Sequence, residues 1–127
     1  MLFWSCETNT NYIPNVPVDI YIYPNLPSYI ALNTIGGWIY ISGGSRGIIV
    51  YRKTLDTFVA LDRNCSFDPS EDCATVEVDP SNIFATDTCC GSQFLLLDGQ
   101  VTNAPAVFPL KQYNTYFDGN LLHIYNF

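Results

Sequence analysis

Among 127 residues there is one histidine, His123, and five lysines and arginines stand against twelve aspartates and glutamates. With no histidine near a nucleophile, no Ser-His or Cys-His relay can be assembled. The formal net charge of −7 repels phosphate backbones, and no basic stripe is present to neutralise them, which excludes nucleic acid as a partner. No glycine-rich loop opens a helix to receive phosphate. No run of roughly 18 apolar residues exists, so no helix is expected to cross a membrane. Helical patterning is missing too, since no window of about 11 residues carries a 3.6-residue apolar period, and no repeat or heptad is visible.

What is present favours strands. Aromatic residues make up 15% of the chain and charged residues only 13%, a balance suited to pleated surfaces and poor for helices. The length fits one domain that buries roughly two thirds of its unfolded surface. β-branched and aromatic runs predict strands over residues 18–23, 38–42, 47–52 and 57–62, then over 75–79, 83–86 and 93–97. Asp98-Gly99 turns the chain back into a strand around Val101, and Asp118-Gly119-Asn120 joins a strand over 110–117 to one over 121–125. This is an all-β domain over residues 18–127, preceded by a tail over residues 1–17.

The tail carries the first of five cysteines. Cys6 follows Leu2-Phe3-Trp4-Ser5, which resembles the last residues of a bacterial lipoprotein signal, and precedes a polar, Pro- and Asn-rich tether. Phe3 and Trp4 are bulkier than such a signal favours, and the charged and apolar regions that normally precede the cysteine are not in the sequence. A lipidated Cys6 leaves the other four cysteines as an even set; the alternative is an unpaired thiol in the tail. Five cysteines in so short a chain point to an oxidising, envelope or secreted setting.

Over residues 46–126 the succession Gly-Ile-Ile-Val-Tyr-Arg, Phe-Val-Ala-Leu-Asp-Arg-Asn-Cys, Cys-Cys-Gly-Ser-Gln-Phe, Leu-Leu-Asp-Gly, Ala-Pro-Ala and Pro-Leu-Lys-Gln-Tyr resembles the Rieske iron–sulfur domain. The resemblance is carried most strongly by Gly91-Ser92-Gln93-Phe94, Asp98-Gly99, Ala104-Pro105-Ala106 and Pro109-Leu110. It implies stacked antiparallel sheets with a two-loop tip, and a [2Fe–2S] cluster held there by paired thiolates and imidazoles. Cys65 matches the first thiolate. Phe67 stands where the first imidazole belongs and has no lone pair to offer. With Gly91 setting the register, Asp87 replaces the second cysteine and Cys90 the second histidine. Three positions, Phe67, Asp87 and Cys90, therefore depart from the ligand set, and no ordinary cluster is expected.

The same resemblance implies a bridge between Cys73 and Cys89, one from each loop. Cys65 and Cys90 then face one another where the metal would lie, and a second bridge is expected there. The crossed pairing, Cys65 with Cys89 and Cys73 with Cys90, stays open, as does a vicinal Cys89-Cys90 bridge. Zinc or an all-cysteine iron–sulfur centre on the four thiolates is a further alternative. Asp68, Glu71 and Asp72 lack the full calcium-loop pattern and are expected to form a solvated face. Arg46 and Arg52 are expected to pair with nearby acids.

The expected protein is a non-catalytic Rieske-like domain without a cofactor or bound metal. It sits in the bacterial cell envelope, anchored to the membrane through Cys6, with a structural or interaction role toward a protein partner. The alternatives are an electron-transfer subunit with atypical cluster ligands and a thiol–disulfide module using Cys89 and Cys90.

Overall fold

The computed structural model describes residues 13–127, so Cys6 and most of the tail lie outside the described residues. In chain order the strands are β1 (Asp19–Ile22), β2 (Trp38–Ile41), β3 (Ile48–Arg52), β4 (Phe58–Asp62), β5 (Glu77–Val78), β6 (Phe84–Thr86), β7 (Gln93–Leu95), β8 (Val101–Asn103), β9 (Gln112–Phe117) and β10 (Leu122–Tyr125). They form a six-stranded sheet ordered β1-β10-β9-β4-β3-β2 and a four-stranded sheet ordered β5-β6-β7-β8. Every pairing is antiparallel.

The two-residue alternation of β3 and β4 builds both cores. Ile49, Val59 and Leu61 face Val76, Ala85, Phe94, Leu96, Ala106 and Leu110, beneath the four-stranded sheet. Their neighbours Ile48, Val50, Phe58 and Ala60 face the other way, onto Ile22, Leu32, Tyr113, Leu122 and Ile124. Because β1 and β10 share this second core with β3, the larger sheet curls over on itself. Each fully buried aliphatic or Phe side chain here is worth about 1.5–3 kcal/mol relative to exposure.

The turns follow the sequence closely. Gly99, at φ +77°, donates its N–H to the Leu95 carbonyl at 2.7 Å and closes the β7–β8 hairpin. Asp118 Oδ1 accepts the N–H groups of Asn120 and Leu121 at 2.8 and 2.7 Å between β9 and β10, which holds its carboxyl below the usual range. One element lies outside the sequence expectation, a 3-10 helix over Pro27–Asn33. It is too short to show a helical apolar period; Pro27 presets its first turn and a fully buried Leu32 anchors it to the second core.

Asp62 ends β4 fully buried, and among the described residues no cation pairs with it. Its carboxylate accepts the Tyr113 hydroxyl at 2.6 Å and the N–H groups of Ser45, Arg46 and Asn64 at 2.6, 3.2 and 2.9 Å. Four donors offset the cost of burying the charge and fix the loop between β2 and β3. Burial first, and the Asp62 carboxylate second, push the Tyr113 phenol well above its ordinary range.

The expected pairing of Arg46 and Arg52 with acids does not occur. Arg46 donates to the carbonyls of Pro69 and Asp72 at 3.0 and 3.2 Å, and Arg52 to those of Leu32, Thr54 and Leu55. A guanidinium with five donors serves loop carbonyls that no strand partner reaches. His123 Nε2 lies within hydrogen-bond distance of Asp19 Oδ1, at 2.7 Å, on the β1–β10 pair. His123 stacks there on Tyr21, with ring centroids 4.2 Å apart, and has no part in the tip.

Candidate functional site

Two loops meet at the tip. The first runs between β4 and β5 and is closed by an isolated bridge of Asn64 with Thr75, by Cys65 N–H to Ala74 at 2.8 Å and by Val76 N–H to Arg63 at 2.8 Å. Arg46, reaching across from the β2–β3 loop, holds the carbonyls of Pro69 and Asp72 on its outer side. The second loop runs between β6 and β7. Asp87 N–H donates to the Ser92 carbonyl and Gly91 N–H to the Asp87 carbonyl, both at 2.8 Å, with Gly91 at φ +84°.

Within that turn Asp87 Oδ1 accepts the N–H of Cys89 at 2.8 Å and of Cys90 at 3.4 Å. The bonds turn the side chain inward, and Asp87 is only 2% exposed. Ser92 is fully buried; its Oγ accepts the Ala106 N–H at 2.9 Å and lies 3.1 Å from the Cys90 sulfur.

Cys73 and Cys89 are bonded to each other across the loops, with α-carbons 6.2 Å apart, as the family resemblance implies. That bond removes the crossed pairing, the vicinal Cys89-Cys90 bridge and the four-thiolate metal site together. The second bridge expected between Cys65 and Cys90 is absent, and both are free thiols. The Cys65 thiol is directed to the Asp87 carboxylate and the Cys90 sulfur to the Ser92 hydroxyl, so the two sulfurs share their space with polar neighbours. Donor atoms of Cys65, Asp87 and Cys90 all lie within 4.8 Å of one another.

Burial is the main cause that pushes the Cys65 thiol up to about 12; the Phe67 N–H opposes the rise, and Asp87 and Cys90 reinforce it. Cys65 is therefore a protonated thiol near neutrality and a poor nucleophile. Phe67, half-buried, packs against the first core and lines a cleft of about 140 Å³ together with Asp68, Glu71, Asp87 and Cys90. That volume suits an ion or a ligand of a few atoms, since pockets for larger molecules run to roughly 300 Å³ and above. Asp68, Glu71 and Asp72 are exposed, as a solvated face requires.

The four positions that the family uses for its cluster thus converge, with different chemistry. Two sulfurs and a carboxylate stand around the point, and the fourth position is a phenyl ring. Two thiolates and two imidazoles are needed for a Rieske cluster, and these residues do not fit it. From the sequence, Asp87 registers only as a departure from the ligand set, and Ser92 only as part of a motif. Their roles depend on an Asx turn and on a contact with Ala106, and the sole hint in the sequence is an aspartate two residues before a cysteine.

No protein-family model and no curated protein matches this chain. Its fold is Rieske-like, as a solved structure shows. The chain is similar to the cyanobacterial plasma membrane Rieske protein PetC3 from Synechocystis PCC 6803, with a TM-score of 0.55 and 20% identity, over 68% of this chain and 84% of that one.

Proposed function

We propose that this chain is a non-catalytic, Rieske-like protein of the bacterial cell envelope that carries no [2Fe–2S] cluster and serves a structural or interaction role. The donor set at the tip is the observation that carries the reading, because Phe67, Asp87 and Cys90 stand at three of the four positions where the family supplies ligands. An oxidising compartment is supported by the exposed Cys73–Cys89 bridge. Among the described residues no helix is long and apolar enough to cross a membrane, and attachment is assigned to lipid on Cys6. A protein partner is supported by Val107 and Phe108, which are 79% and 54% exposed beside the first loop, where Ser66 Oγ donates to the Phe108 carbonyl.

The test is the colour and iron content of the aerobically purified protein. Colourless material without acid-labile sulfide is expected. About two irons per chain with visible absorbance would instead establish the second reading, electron transfer through an atypical cluster. That reading draws its support from the convergence of Cys65, Asp87 and Cys90. A thiol–disulfide module would have to use the exposed Cys73–Cys89 bond, and its resistance to a glutathione-level reductant would count against that role.

A further inference from the structure

Among the described residues two carboxylates are buried near the tip, and their treatment differs. Asp62 receives four hydrogen bonds, shared between both oxygens. Asp87, nearly as deep, receives two backbone N–H groups, both on Oδ1, and faces the Cys65 thiol, and no lysine, arginine or histidine pairs with it among the described residues. An anion held in this way beside two sulfurs lacks a compensating positive charge.

We propose that Cys65, Asp87 and Cys90 bind a single thiophilic divalent cation of the zinc class, with a fourth coordination position open to the cleft. The inference rests on the reading that no [2Fe–2S] cluster is seated there. Three donors from two loops already stand within 4.8 Å of one another. Tetrahedral zinc with sulfur at about 2.3 Å and oxygen at about 2.1 Å sets donor separations near 3.5–3.8 Å, so the closing movement is about 1 Å. Mixed sulfur and oxygen donors without imidazole suit this ion class better than calcium or magnesium, which take oxygen alone, or copper(I), which prefers sulfur. Three protein ligands with one position left for water or an anion is the pattern of an open zinc site.

The surroundings are prepared for the ion. Ser92 Oγ already accepts from Ala106 N–H, so its own hydrogen is free to donate to a Cys90 thiolate. The N–H groups of Cys89 and Cys90 orient Asp87. Such outer partners typically affect metal affinity by about 10- to 100-fold. The Cys73–Cys89 bond fixes the two loops beside each other before any ion arrives. On binding, Cys65 and Cys90 each release a proton to solvent, Asp87 contributes its carboxylate, and no oxidant or reductant takes part.

The full chain, treated with chelator and then titrated with Co²⁺ and Zn²⁺, tests the site. We expect one ion per chain, a thiolate-to-cobalt charge-transfer band in the near ultraviolet, and protection of the half-buried Cys90 thiol from alkylation by Zn²⁺. D87N and C90S should each weaken zinc binding by about 100-fold or more, judged against the effect of outer partners. D56N, in the exposed turn between β3 and β4 away from the tip, should leave it unchanged, with the Cys73–Cys89 bridge intact in every variant by mass. No cobalt charge-transfer band on titration, a Cys90 thiol as reactive with Zn²⁺ as without it, or an intact mass showing a Cys65–Cys90 bridge would overturn the inference and leave the absence of a cluster standing. Two irons with acid-labile sulfide would overturn both.

Discussion

Tyr113 and Asp62 show how single side chains set the behaviour of this domain. The phenol donates at 2.6 Å to a fully buried carboxylate. Tyr113→Phe keeps the ring in the second core and removes one of four donors, so stability should fall by about 1–3 kcal/mol, read from the urea midpoint. The pH dependence has a definite sign. Tyr113 is raised by burial and by Asp62, while an unfolded tyrosine titrates near 10. Its contribution is fully present below about pH 10 and is lost as pH rises above it, because the unfolded chain ionises first. Wild type should therefore lose stability more steeply than Tyr113→Phe as pH rises above about 10. At this scale the sequence was partly legible. Cysteine types and the family resemblance gave the Cys73–Cys89 bond, whereas the free state of Cys65 and Cys90 depends on where Asp87 and Ser92 turn, which no spacing encodes.

Loops and strands respond to different substitutions. Gly44 sits at φ +62°, and a Cβ there would run into the Asp62 carboxylate and the Tyr113 hydroxyl. Gly44→Ala should cost about 1–3 kcal/mol, and combining it with Tyr113→Phe should cost less than the sum, since both act on one network. Arg46→Met releases the carbonyls of Pro69 and Asp72. Faster amide exchange is expected at Glu71 and Ala74 in the first loop, with little change in β3 and β4. All ten strands were readable because alternation, aromatic content and Asp-Gly or Asn turns report directly on a half-buried pleat. The 3-10 helix over Pro27–Asn33 was not, since only Leu32 of its seven residues is buried and one buried position makes no period.

For the whole molecule, the loop-to-loop bond spans a sequence separation of 16 residues. Replacing both Cys73 and Cys89 with serine should cost about 3 kcal/mol in the chain-entropy description, and a strong reductant should reproduce the loss in wild type. Sheet order was not available from the sequence, because strands such as β4 and β9 pair across half the chain and local pattern does not encode that partnership.

One consequence follows from β3 and β4 having a core on each face. The tip-bearing half has no floor of its own: cut away from Ile49, Val59 and Leu61, its Phe94 and Leu96 would meet water. An excised fragment over residues 63–110 should therefore stay unstructured, and heating the intact chain should melt both halves in one step. Whatever the tip holds on to, its grip is transmitted to the strands farthest from it.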